Sequence, residues 1–253
     1  MKFTIEAACG CHTGKVRKNN EDNFYFDGKY LEATHNGLKH PAVFGGVAKS
    51  GVCFAIFDGM GGENFGEIAS YAAARRMQQE TRSLADFLIP EKQYLSRLSV
   101  QLNQAVVKEK EELCTERMGS TMAALYFFGR YVYVCNLGDS RVYRLRQGEF
   151  LQISQDHVEK RPNIEHKKAP LTQYLGIDPE EMQIEPYIVK GKLEKGDQYI
   201  LCSDGLTDML TNFEISDIMF KSVDAESCVQ HLIQSALEHG GRDNITVIVC
   251  KIM

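Results

Sequence analysis

Nowhere in the sequence do lysine and arginine cluster into a dense tract, and the formal charge is −5 with a pI near 5.8. A chain of that balance offers no electrostatic footprint to nucleic acid or to an anionic membrane surface, so neither is an expected partner. No apolar run approaches the roughly 20 residues of a membrane span, and Lys2 is not followed by the apolar segment of a signal peptide. The expected setting is cytoplasmic. Internal repeats, low-complexity tracts and Pro/Ser-rich linkers are also missing. The best place for a domain break is the polar stretch 156–190, which holds Pro162, Pro170, Pro179 and Pro186. A long surface loop accounts for that stretch equally well. Zinc chemistry lacks its ingredients too: Cys9, Cys11 and His12 stand together, but no matching second pair follows at zinc spacing.

What is present suits a substantial core, with 43% hydrophobic and 25% charged residues. Cys53, Cys135, Cys202 and Cys250 sit inside β-like apolar runs, which suits buried reduced thiols better than a disulfide framework. Strand-like runs occupy about 3–9, 52–57, 121–128, 131–136, 141–145, 197–202 and 245–251. Helical periodicity covers 65–88 and 91–114, the second with Tyr94, Leu98, Leu102, Ala105 and Val106 on one face. Asp224 is placed to cap a helix carrying Val229, Leu232, Ile233 and Ala236, ended by Gly240-Gly241, and a shorter helix starts near Asn212. The stretch YVYVCNLGDSRVYRLRQGEFLQIS reads as a meander joined by hairpins. Antiparallel sheets flanked by helices, an α+β fold, follow more naturally than a doubly wound parallel sheet.

Two proposals for phosphate chemistry overlap in GCHTGKVRKNNEDNF. Cys11 and Arg17 have the C-x5-R spacing of a cysteine-dependent phosphatase, while the same Arg17 leads R-x-x-N-E-D, whose Glu21 and Asp22 suit a metal. The cysteine reading is weak, because C-x5-R recurs at Cys135–Arg141 and because Arg17 runs into turn and strand rather than a helix that would lower a thiol pKa. A second pattern is stronger. Asp22, Asp58, Asp139, Asp204 and Asp243 each stand where an apolar strand meets a Gly-rich or polar turn. Any one of them reads as a turn former or helix cap. Five at strand edges can converge, and two unit charges about 4 Å apart repel by roughly 4 kcal/mol at an effective dielectric near 20. Divalent cations remove that penalty. An all-oxygen donor set suits Mg²⁺ or Mn²⁺, and two such ions about 3.5–4 Å apart can lower the pKa of a water and direct it at phosphorus. In DGMGG, Gly59, Gly61 and Gly62 permit close backbone approach, and Gly59 can offer its carbonyl as a ligand.

The ordered series VRKNNEDN, AIFDGMGG, MGSTMAAL, NLGDSRVY, QDH, LCSDGLTD and GGRDNITVIV resembles the metal-dependent protein phosphatases of the 2C type, over nearly the whole chain. The resemblance implies one catalytic domain over 1–253 with a short flap region near 157–190, and a central β-sandwich of two antiparallel sheets in a four-layer αββα arrangement. It also implies hydrolysis of phosphoserine and phosphothreonine in proteins with Mn²⁺ or Mg²⁺, two ions bound tightly and a third more weakly. Asp22, Asp58, Asp204 and Asp243 correspond to ligands of the two-metal centre, with Asp58 bridging and Gly59 giving its carbonyl. Arg17 corresponds to the arginine that grips phosphate, and Asp139 to a residue helping to hold the third metal. Glu21 and Asn244 are expected behind the ligands. Met60 stands where eukaryotic members carry a histidine proposed as general acid. A monomer, partnered by phosphoproteins and by a cognate serine/threonine protein kinase, completes the expectation. Its rivals are a non-catalytic phosphoprotein-binding module and a hydrolase of small phosphoesters.

Overall fold

The computed structural model describes residues 3–48, 51–61, 65–80, 89–159 and 169–253. Its strands are β1 (Thr4–His12), β2 (Asp22–Phe26), β3 (Ala42–Val47), β4 (Val52–Gly61), β5 (Met118–Ser120), β6 (Met122–Phe128), β7 (Tyr131–Leu137), β8 (Arg141–Arg146), β9 (Glu149–Gln152), β10 (Tyr187–Lys192), β11 (Gln198–Cys202) and β12 (Ile245–Ile252). Among the described residues five helices join them: α1 (Gly66–Gln79), α2 (Glu91–Glu112), α3 (Asp204–Thr207), α4 (Asn212–Lys221) and α5 (Ala225–Glu238).

Two antiparallel sheets result. One runs β3-β1-β12-β11-β8-β9; the other runs β10-β7-β6-β4-β2, with β5 paired to β4. Alternation along the strands explains the layers, because successive side chains of a strand face opposite sides. In β2 and β4, Phe24, Phe26, Phe54 and Ile56 point between the sheets and meet Cys9, Leu201 and Ile248 from the opposite sheet. The intervening Ala55 and Phe57 point outward, against Ala69, Ala73 and Leu102 of α1 and α2. On the far side Ala8, Ile200 and Val249 pack against Ile215 of α4 and Val229 and Leu232 of α5. The order is helices, sheet, sheet, helices, the αββα sandwich that the sequence motifs imply.

The helices follow their local signals. Thr211 and Glu214 form a reciprocal capping box at α4, and Asp224 accepts a hydrogen bond from Ser227 N at the start of α5. The periodic segment starting at 65 is helical to Gln79; its continuation over 81–88 lies outside the described residues.

Three features differ from the sequence reading. The meander is broken after β7: the chain does not fold back there but crosses to the other sheet, and only β8 and β9 form a hairpin. Gly138 makes the corner at φ +94°, where a Cβ would stand 2.7 Å from Thr121 Cγ2. Strand β10 arises inside the polar stretch 156–190, and that stretch is stitched down where it is described. Leu175 and Ser120 exchange backbone hydrogen bonds of 2.8 and 2.9 Å. The buried Asn103 side chain accepts from Gly176 N and Ile177 N and donates to Ile177 O. Strand β3, AVFGGV, escapes the apolar-run criterion because its two glycines dilute the pattern.

Candidate active site

The carboxylates meet at one rim of the sandwich, where both sheets end. Asp58 comes from β4 and lies opposite Asp22 of β2 in the antiparallel register. Its backbone is held on both sides: Asp58 N donates to Thr121 Oγ1 at 3.1 Å, and Asp58 O accepts from Thr121 N at 2.8 Å and from Ser120 Oγ at 3.1 Å. Thr121 Oγ1 is in turn 2.7 Å from Ser140 Oγ, so the MGST and NLGDS motifs lock together behind Asp58. Asp139 sits in that lock, at the corner where the chain changes sheet. The QDH motif holds the same corner: His157 N donates to Gly138 O at 3.0 Å, and Asp156 takes a forked pair from Arg141.

The other sheet supplies Asp204 and Asp243. Asp204 opens α3 directly after β11, and Gly205 must be glycine, since a Cβ there would lie 1.8 Å from Asn244 O. Asp243 stands two residues ahead of β12. Beside it Asn244 accepts from Glu21 N at 2.8 Å and donates to Thr13 O and Asn19 O, each at 2.9 Å. One amide thus ties the start of β12 to the loop that carries Arg17. Gly59 is equally constrained: its N–H donates to Glu21 O at 3.0 Å, and a Cβ would lie 2.0 Å from Gly66 O at the start of α1.

Glu21, Asp58, Asp139, Asp204 and Asp243, with Arg17 and Gly59, line one open pocket of about 410 Å³. Asp22 does not line it. Neighbouring residues of an extended chain point to opposite sides, so Glu21 faces the pocket. Asp22 lies behind it, 1% exposed, its Oδ2 accepting from Ser203 Oγ at 2.8 Å. The sequence reading assigned these two places the other way round. His35 supports Asp22 from the 29–41 loop: its Nδ1 accepts from Gly37 N, which leaves Nε2 to donate to Asp22 O at 2.9 Å. Arg17 Nη2 binds Asp243 Oδ2 at 2.8 Å, with half of its side chain exposed toward the pocket.

The electrostatics record the crowding. Burial, then repulsion from Asp204, Asp22, Asp139 and Asp243, holds the Asp58 carboxyl well above the ordinary range. Burial also pushes Asp22 up to about 7, against the hydrogen bond from Ser203. Glu21 is raised by burial and by Glu67, partly offset by Arg17. The Asp243 carboxylate, in turn, raises Arg17. Acidic groups that repel one another at a rim open to solvent are a donor set for a cation. Among the described residues, no three His, Cys, Asp or Glu side chains are gathered closely enough to hold a metal ion by themselves. An open, all-oxygen arrangement of this kind suits Mg²⁺ or Mn²⁺, which keep several waters and take few protein carboxylates.

Cys11 is elsewhere. It points between the sheets, buried, its sulfur accepting from Asn20 Nδ2 and Thr246 Oγ1 at 3.3 Å each, and burial pushes its thiol up to about 12. Cys135, of the second C-x5-R match, is buried as well and is also pushed up to about 12. Neither supplies a thiolate at neutral pH.

Architecture and rim together define the class: a four-layer α+β sandwich with an acidic, arginine-bearing site where its two sheets end. The chain belongs to the protein phosphatase 2C family, whose model matches residues 42–238. It is 30% identical over its full length to the serine/threonine protein phosphatase PstP of Mycobacterium tuberculosis, and spans 46% of that protein, about half its length. It is 28% identical to the serine/threonine phosphatase stp of Listeria innocua, with 94% of this chain and 92% of that protein aligned. Among solved structures, the catalytic domain of PstP in complex with two manganese ions superposes with a TM-score of 0.75 at 28% identity, covering 99% of each chain.

Proposed function

We propose that the chain is a Mn²⁺- or Mg²⁺-dependent serine/threonine protein phosphatase, a single catalytic unit that hydrolyses phosphomonoesters in proteins. One observation carries the reading: five carboxylates from five separate segments, and one arginine, face a single open pocket. Asp58, Asp204 and Asp243, with Glu21 and the Gly59 carbonyl, would hold the two principal ions. Asp22 would support them from behind, and Asp139 would help to hold a third, weaker ion. When bound, the ions neutralise the carboxylates, lower the pKa of water and polarise the phosphoryl oxygens.

The chain's own residues do the rest. Arg17 grips two phosphate oxygens with its planar fork, exchanging part of its bond to Asp243 for the substrate. Thr121, Ser140 and Asn244 hold the carboxylates and the arginine loop at fixed separations, which lowers the reorganisation needed when phosphate arrives. Met60, an apolar side chain on the pocket wall, has no proton to give, so it serves shape rather than acid catalysis. In the cell the protein would act as a cytoplasmic monomer opposing a serine/threonine kinase.

The decisive experiment is hydrolysis of a phosphothreonine peptide after chelation, followed by return of Mn²⁺ or Mg²⁺. Activity should vanish and then come back with metal, and Cys11→Ser should retain it. Activity that survives chelation but is lost on thiol alkylation would sink the proposal.

A further inference from the structure

Beside the carboxylate pocket, and sharing Met60, Gly61 and Leu171 with it, a second cavity of about 340 Å³ opens. Its construction starts from β5, which pairs with the end of β4 so that Met60 lies opposite Gly119 and Gly61 opposite Met118. Gly119 leaves room for an aromatic ring: a Cβ there would lie 2.7 Å from Tyr174 Cδ2. The ring is held in place by the next residue, Leu175, through its paired backbone hydrogen bonds to Ser120. Met60, Met118, Leu171 and Tyr174 therefore give the cavity thioether, aliphatic and aromatic walls. Glu116 and Arg117 add exposed charges of opposite sign. They leave the cavity with no net preference for a charged occupant.

We infer that this cavity is a specificity subsite that takes an apolar or aromatic side chain two positions from the phosphorylated residue. The inference rests on the protein-phosphatase reading above. An extended peptide alternates its side chains, so the residues at +2 and −2, roughly 6.6 Å along the chain, face the same surface as the phosphoresidue, while +1 and −1 point away. A cavity adjoining the phosphate pocket through a common wall is thus reached by a ±2 side chain. Sulfur and aromatic walls favour Leu, Met or Phe there, since such side chains gain burial and S–aromatic contact.

The test uses the full chain with Mn²⁺, p-nitrophenyl phosphate, and phosphothreonine peptides in which ±1 and ±2 are varied among Ala, Leu and Phe. Leu or Phe at +2 or −2 should raise kcat/KM about tenfold over Ala, the discrimination that a few methylenes give a partly open apolar pocket, with ±1 near neutral. Tyr174→Ala should bring the Leu/Ala ratio toward one. Peptides hydrolysed equally whatever stands at ±2, or selectivity confined to ±1, overturn the subsite; this arm needs no variant to fold. Failure to hydrolyse both p-nitrophenyl phosphate and every peptide is a different result, which removes the phosphatase reading and the subsite with it.

Discussion

Arg17 has two anions to serve. In the structure it binds Asp243 at 2.8 Å, and in the proposed reaction it takes phosphate instead. A charge-assisted pair of hydrogen bonds contributes about 1.5–3 kcal/mol, so Arg17→Ala should lower kcat/KM for a phosphopeptide by about 10- to 100-fold, chiefly through KM. Unchanged kcat/KM would remove the arginine from the phosphate. The same few residues show what a sequence can and cannot reveal. Asp58, Asp139 and Asp204 are readable because each closes an apolar run, and Asp243 because it stands just ahead of one after a Gly-Gly turn, places that need no long-range information. Glu21 and Asp22 are not separable in that way, because which one faces the pocket depends on the phase of β2 against β4. Cys11 is a similar case in reverse: its spacing to Arg17 suggested chemistry, but β1 turns its sulfur between the sheets.

The ends of the strands, more than the strands themselves, make the site. Asn244 is the clearest example, since its side chain fastens the start of β12 to Thr13, Asn19 and Glu21 by three hydrogen bonds. Asn244→Ala strands those half-buried partners at a cost of about 2–4 kcal/mol, which for a chain of this size is a fall in Tm of roughly 5–10 °C. It should also raise KM by loosening the arginine loop, whereas a variant with native Tm and native KM would show that the clamp is dispensable. Most strands could be read from their apolar runs. The switch of the chain from β7 in one sheet to β8 in the other could not, because a Gly-containing turn between two apolar runs has the same appearance in a hairpin. That switch carries Asp139 to the rim, so a local ambiguity conceals part of the site.

The two sheets are forced together over a cluster of like charges, and pH should register the strain on the whole fold. Asp58 and Asp22 keep protons in the folded protein that the unfolded chain, with ordinary carboxylates, has already released. The folded state therefore binds more protons, and the metal-free protein loses stability as pH rises from about 4, the ordinary Asp value, to about 7, the folded value of Asp22. Asp58→Asn removes the most crowded charge. It should abolish turnover while raising the Tm of the metal-free protein at pH 8 by several degrees, with a smaller gain at pH 5. A Tm at pH 8 equal to or below that of the wild type would show that the carboxylates do not oppose one another as described.

Six of the eight cysteines are buried, Cys53 is half-buried and Cys114 alone is exposed. The buried ones are distributed among the packing layers: Cys9, Cys11 and Cys250 between the sheets, Cys135 beneath α1 and α2, and Cys202 beneath α4 and α5 with Cys228 on the inner face of α5. Each layer thus contains its own latent chemical tag, silent while the layer is closed. In a native protein held near its unfolding transition, the order in which these thiols become alkylated gives the order in which the sandwich comes apart, with no label engineered into it.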